Sequence, residues 1–262
     1  MCYTTQQRKP ISDIEKKYGA TAKIEEGLNK SALTAHHFNG FAHPSMLILP
    51  QENPKYLAPL MWGLIPSWES GQEYQTYYND SIKYGSGLNA TTEKLFSSNM
   101  FKNSAMTRRC IVPVTGFFEP HTTPVKVKGR PFKVPFFFER KNKGIMNLAG
   151  IYEFTNDGIA TFTILTQPAT PLFEKIHNTK KRRPVILYDE DVQGWLDKIC
   201  TKSDIQEFIN KTVSDEDISA YPVSKDIYNP KVNANREDIT DLVHYSEIAI
   251  NYKGKPPTTL FD

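Results

Sequence analysis

Cysteine is scarce in this chain: its 262 residues hold three, Cys2, Cys110 and Cys200. Three widely separated thiols supply neither a disulfide framework nor paired zinc knuckles, so reduced thiols are the natural reading. The six histidines, His36, His37, His43, His121, His177 and His244, lack the helix or hairpin spacing of metal ligands. No metal or other cofactor is expected, and a metal-dependent hydrolase is the least supported enzyme class. Long apolar runs are missing as well. Stretches such as Met46–Leu49 and Ile159–Leu165 fall far short of the roughly 20 residues that span a bilayer. The first residues lack a basic segment followed by an apolar one, so no secretory leader is expected. A cytoplasmic protein, associated with the nucleoid when it acts on DNA, fits these absences and the motifs below.

What is present is an ordinary globular composition, 39% hydrophobic, 12% aromatic and 23% charged. That is enough apolar material for a sizeable core. A single domain over 1–262 is expected, with 225–262 as an extended tail, and a monomer. The net charge of +3 is unevenly spread. Between Phe101 and Lys143 ten basic residues face two acids, Glu119 and Glu139. A second basic run, Lys180-Lys181-Arg182-Arg183, follows His177, whereas 189–217 is mostly acidic. The pattern fits a groove for a phosphate backbone, and equally fits lysine placed on strand edges for solubility.

Segments rich in β-branched and aromatic residues predict strands over Met46–Leu49, Leu57–Ile65, Cys110–Phe118, Val134–Glu139, Met146–Phe154, Ala160–Thr166 and Pro184–Leu187. Helices are shorter. Ser12 with Glu15 predicts a capping box and Gly19 a stop. Further helices are expected over Thr92–Phe101, over Pro171–Ile176 after Thr170, over Val192–Cys200, and from Ser203 with Gln206 onward. Strands do not alternate regularly with long helices, which favours an antiparallel α+β fold over a doubly wound parallel sheet.

Cys2 carries chemistry that no internal cysteine has. Removal of Met1 leaves an α-amine and a thiol on adjacent carbons, and such a pair traps aldehydes. The amine forms a Schiff base and the thiol closes a five-membered thiazolidine on it. With reference pKa values of roughly 8 and 8.5, a minority of each group is nucleophilic at neutral pH. Taken alone, a cysteine in this position is most often part of a frayed terminus.

Remote motifs corroborate it. In order along the chain stand Met1-Cys2, Met61-Trp62-Gly63-Leu64-Ile65-Pro66-Ser67-Trp68, Leu88-Asn89-Ala90-Thr91-Thr92-Glu93, Arg108 through Pro120 with Gly116-Phe117-Phe118-Glu119-Pro120 at its end, and Ile176-His177 followed by Arg182-Arg183-Pro184-Val185-Ile186-Leu187. Phe162–Thr166, Trp195-Leu196 and Val223-Ser224 extend the series. Together these closely resemble the SRAP family, the SOS-response-associated peptidase-like proteins that process abasic sites in DNA.

The resemblance implies a barrel-like antiparallel sheet and capture of the ring-opened abasic aldehyde in single-stranded DNA by Cys2. It carries the family glutamate to Glu119, the histidine to His177 and the asparagine to Asn89. A carboxyl group at Glu119 suits the proton transfers of imine formation. An imidazole at His177 suits sugar ring opening and reversal, and the Asn89 amide can anchor the amine or contact the sugar. Plainer readings stand beside these: Glu119 as a solvated turn residue, His177 as a helix C-terminal residue, Asn89 as a turn former. Trp62 and Trp68 read as core or lid, or as base-stacking platforms. Cys110 and Cys200 read as structural.

Two departures bear on DNA affinity. Cys2-Tyr3-Thr4 stands where many members have Cys-Gly-Arg, and Asn89-Ala90-Thr91 where they commonly have Asn-Ala-Arg. A neutral threonine cannot replace a bidentate guanidinium. Lys94, Lys102, Arg108, Arg109, Lys180, Lys181, Arg182 and Arg183 are the candidate replacements. Pro120 stands where tryptophan is frequent, and the segment from His177 to Arg183 is longer than in many relatives. A peptidase-like hydrolase using Cys2 and a noncatalytic single-strand-binding module remain the alternative functions.

Overall fold

The computed structural model describes residues 2–252. In chain order the strands are β1 (Thr4–Gln7), β2 (Thr21–Ala22), β3 (Ala35–Asn39), β4 (Ser45–Pro50), β5 (Tyr56–Trp62), β6 (Asn89–Thr91), β7 (Arg109–Val114), β8 (Gly116–Val127), β9 (Arg130–Arg140), β10 (Met146–Phe154), β11 (Ala160–Pro168), β12 (Arg182–Pro184), β13 (Ile186–Leu187) and β14 (Ile218–Pro222). The α-helices are α1 (Ile11–Tyr18), α2 (Tyr74–Ser81), α3 (Lys102–Thr107), α4 (Pro171–Ile176), α5 (Val192–Trp195) and α6 (Lys202–Asn210).

Five strands close on themselves. β5, β4, β7, β10 and β11 pair antiparallel in that order. The ring shuts where β11 runs parallel to β5, Thr161 opposite Met61 and Phe162 opposite Trp62. A second, antiparallel sheet of order β14-β9-β8-β1-β3 lies against it. The result is the expected α+β fold, and the barrel that the family resemblance implied is mixed, closed by one parallel pair. Period-two alternation explains the packing. Met46, Ile48, Val112 and Leu148 join Cys2, Phe117, Phe136 and Phe138 in one cluster. Their neighbours Leu47, Leu49, Ile111 and Ala149 face the other way, toward Ile14, Ala105, Trp195 and Ile205 of the helices. β8 and β9 are joined by Lys128-Gly129, both at positive φ (49° and 76°), with Val127 opposite Arg130. That is the two-residue turn whose twist suits a hairpin.

Several expectations need correction. The predicted helix over Thr92–Phe101 is a short 3-10 turn at Thr92–Lys94, and α3 begins only at Lys102. The Ser98 hydroxyl accepts from Met100 N–H at 3.3 Å, the local competition that disfavours serine inside helices. Ser12 does not cap α1, because the helix starts one residue earlier, after Pro10. Glu15 instead accepts from Ala22 N–H at 2.8 Å, while Gly19 at φ 61° ends the helix as expected. The cap of α6 is Thr201 with Asp204, not Ser203 with Gln206. α5 stops at Trp195, well short of Cys200.

The run Cys110–Phe118 serves two sheets and breaks at Thr115, whose N–H donates to Gln6 O at 2.7 Å. Pro184–Leu187 divides at Val185 between β12 and β13. From Lys225 the chain is irregular but packed, with Ile227, Ala234 and Ile239 buried against Phe118 and Phe137. The segment 253–262 of the expected tail lies outside the described residues.

Candidate functional site

The site grows from the edge of β1. Because β1 lies between β8 and β3, residues just before it run alongside the middle of β8. Thr4 is opposite Phe118, and the Tyr3 carbonyl accepts from Gly40 N–H at 2.8 Å. Cys2 follows, fully buried, its Sγ 3.9 Å from Thr4 O. On β8, alternation puts Phe117 and Glu119 on one face and Phe118 on the other, which explains a glutamate only 1% exposed.

His177 caps the C-terminus of α4, its N–H donating to Phe173 O at 2.7 Å. The helix end is pinned to β8 by His121, whose Nδ1 is 2.9 Å from Ile176 O. The His177 Nδ1 lies 3.0 Å from Arg182 O and 3.5 Å from Glu119 Oε2. An N–H must meet the Arg182 carbonyl, which leaves Nε2 as the basic nitrogen.

Burial sets the charge states. It pushes the Glu119 carboxyl up to about 8 and the His177 imidazole down to about 4. Smaller contributions to the lowering of His177 come from the positive charges of Lys133 and Lys180. At neutral pH the carboxyl is therefore protonated and the imidazole neutral, so this close pair is not an ion pair. Burial, and then the nearby Glu119, raises the Cys2 thiol well above its ordinary value. One cluster thus offers a proton donor, a neutral base and an un-ionised thiol.

Asn89 opens β6, which runs parallel to β11 with Asn89 opposite Ile164. Gly87, at φ 65°, makes the approach possible: a Cβ there would lie 2.2 Å from Leu64 O. Neither the oxygen nor the nitrogen of the Asn89 amide has a hydrogen-bond partner among the described residues, although both are buried. An amide left in that state costs stability unless a ligand satisfies it.

The basic and aromatic candidates divide sharply. Trp62 is fully buried and donates Nε1–H to Leu88 O at 2.9 Å, so it is core and out of reach of a base. Arg109 is equally buried; its guanidinium donates to the carbonyls of Ala105, Met106, Trp195 and Asp197. Arg183 is buried against Phe173, 4.4 Å from the ring centroid, and bonds Thr170 and the Val213 carbonyl. These two arginines hold the fold together and present no charge to a phosphate. Arg108 is paired with Glu153, Lys181 with Glu174 and Arg182 with Glu93. Lys102 bonds Asn99. Of the candidates, Lys94, Lys102 and Lys180 are exposed without an acidic partner among the described residues, together with Trp68, 57% exposed.

Sequence reasoning did not single out Lys133. It is opposite Thr122 on the β8–β9 ladder. Thr122 is tied to the loop after His177: its N–H donates to Asn178 Oδ1 at 3.0 Å, Asn178 Nδ2 donates back at 2.8 Å, and the Thr122 and Thr179 hydroxyls are 2.7 Å apart. Lys133, the ladder partner of Thr122, and Lys180, next to Thr179, are thereby anchored at one clamped contact. The signal in the sequence was only the basic segment; the pairing register chose the residue. Among the described residues no group of three or more His, Cys, Asp or Glu is arranged to hold a metal ion, and no helix is long and apolar enough to cross a membrane.

A closed mixed barrel with a buried thiol, a buried carboxyl and a neutral imidazole beside its first strand defines a class of α+β barrel proteins. The chain belongs to the SOS response associated peptidase (SRAP) family, whose model matches residues 1–230. The abasic site processing protein YoqW of Bacillus subtilis is 30% identical over 208 residues, covering 74% of this chain and 85% of its own. The abasic site processing protein HMCES of Xenopus tropicalis is 27% identical over 246 residues, covering 82% and 66%. A crystal structure of a Bacteroides thetaiotaomicron protein superposes with a TM-score of 0.80 at 28% identity, covering 93% of this chain and all of that one.

Proposed function

We propose that this protein processes abasic sites in single-stranded DNA by joining the lesion covalently to Cys2. The observation that carries the reading is the buried pair of Glu119 and His177, 3.5 Å apart, with Glu119 near enough to the buried Cys2 to raise its thiol.

The chemistry follows from those charge states. His177 Nε2 takes the proton of the anomeric hydroxyl, the sugar ring opens to the aldehyde, and the imidazolium passes that proton to the departing ring oxygen. The α-amine of Cys2, free once Met1 is removed, adds to the aldehyde carbon. Glu119 protonates the departing hydroxyl, water leaves, and the nitrogen proton returns to the carboxylate as the imine forms. The Cys2 sulfur then adds to the imine carbon while its proton passes to nitrogen, and a thiazolidine closes. One water is lost overall. Asn89 offers its unsatisfied amide to the sugar or the amine, and Lys133 and Lys180 supply positive charge for the backbone phosphates.

Intact mass spectrometry tests the proposal, using protein that begins at Cys2 and a single-stranded oligonucleotide with one abasic site, without reductant. An adduct equal to the two masses minus one water is expected. Protein with a free Cys2 terminus that forms no adduct overturns the covalent reading.

A further inference from the structure

Tyr3 is the residue of the site for which the chemistry above has no use. Thr4 is opposite Phe118, so Tyr3, one position on, falls opposite Glu119 and on its face. Burial, Glu119 and Cys2, in that order, raise the phenol above its ordinary value, consistent with this placement. The other flank of the ring meets Phe41, with centroids 4.9 Å apart and planes at 38°.

Phe41 is held there. Its N–H donates to Asn39 Oδ1 at 3.1 Å, and His43 at φ 48° ends the turn with its N–H on Gly40 O. Gly40 admits no side chain, because a Cβ would lie 2.9 Å from Tyr3 O. Phe41 is nevertheless 49% exposed. It borders a hollow of about 420 Å³ lined also by Tyr74 and Ile82, themselves 37% and 62% exposed. An aromatic ledge therefore leads from the reactive terminus to solvent. Thr4, by contrast, turns to the opposite face, its hydroxyl 3.4 Å from Phe118 O.

We infer that Tyr3 and Phe41 form a stacking platform for the nucleobase next to the abasic sugar. The assignment of the lesion rests on the proposed function. The platform itself rests on two rings in tilted contact beside the reactive group, Phe41 backed by Tyr3 and itself half exposed. Every base presents a π-face to such a surface, and purines present more of it than pyrimidines. Stacking then supplies grip where threonines stand at positions 4 and 91.

Equilibrium binding of fluorescent single-stranded oligonucleotides carrying a tetrahydrofuran lesion tests this. That analogue has no aldehyde, so the outcome does not depend on crosslinking, which the mass measurement judges separately. The base beside the lesion on each side is adenine, thymine or a second tetrahydrofuran. Wild type is expected to bind the best adenine-flanked strand about tenfold more tightly than the base-less one, from the usual strength of base–aromatic stacking. Phe41→Ala, a surface change that should leave Tm unaltered, and Tyr3→Ala are expected to reduce that ratio toward one. Tyr3→Phe should keep it. A ratio near one in wild type, an unchanged ratio in Phe41→Ala, or no measurable single-strand binding overturns the inference.

Discussion

Glu119 and His177 meet with Oε2 and Nδ1 3.5 Å apart inside the fold, the carboxyl at 1% and the imidazole at 3% side-chain exposure. Neither is charged at neutral pH, since burial raises one to about 8 and lowers the other to about 4. The two shifts act on stability in opposite directions. Between about 4 and 6.5 the folded imidazole binds fewer protons than the unfolded one, so stability rises with pH. Between about 4.5 and 8 the folded carboxyl binds more protons than the unfolded one, so stability falls. They largely cancel up to pH 6.5, above which only Glu119 contributes. Wild type should lose stability from pH 6.5 to 8 with a slope of at most about 1.4 kcal/mol per pH unit from this residue. Urea unfolding of Glu119→Gln should show that slope removed; an unchanged slope means that Glu119 is ionised throughout.

The same charge states shape the pH profile of adduct formation. No inflection is expected near pH 6.5, because His177 titrates well below it. A limb attributable to loss of the Glu119 proton is expected near 8. Initial rates of wild type and Glu119→Gln across pH 5–9 are the measurement. Glu119→Gln should be slower and lack the upper limb, and Cys2→Ser should form no thiazolidine. Equal rates for wild type and Glu119→Gln remove the proton-transfer role.

Lys133 and Lys180 are expected to carry backbone affinity. Neutralising either lysine should weaken single-strand binding at every sequence alike and lower the salt slope by about 0.7. Anisotropy titrations of Lys133→Gln and Lys180→Gln over a salt series read both quantities. Arg183→Lys tests the contrast, since the guanidinium bonds to Thr170 and Val213 lie in the core. It should lower Tm and leave the salt slope of the folded protein unchanged.

Arg109 should behave as a structural residue. Arg109→Met strands four backbone carbonyls that now accept from the guanidinium. A destabilisation of about 3 kcal/mol or more is expected, seen as a drop of about 6–12 °C in Tm for a domain of this size. A Tm within a degree or two of wild type contradicts the role drawn from its burial.

The two tryptophans of one motif give opposite expectations. Trp62→Ala should cost about 3–5 kcal/mol, as large aromatic deletions in a core do. Trp68→Ala should leave stability within about 0.5 kcal/mol, being a surface change. Chemical unfolding of both variants distinguishes them.

The sequence by itself determined the strand-rich α+β architecture and supplied the candidate site residues. Alternation and aromatic content marked the seven predicted strand segments, and the order of motifs pointed to Cys2, Asn89, Glu119 and His177. It did not reveal β1, β3, β6 or β14, which are short or polar and exist as strands because neighbours complete their hydrogen bonds. Nor did it separate Arg109 and Arg183, buried on carbonyls, from Lys133 and Lys180 on the surface. Charge is written in the sequence, but the side of the sheet on which it falls is set by register, and a one-residue slip reverses it. The raised Glu119 and lowered His177 values likewise have no local signature. They come from water excluded by strands far away in the chain, which only the tertiary structure brings around them.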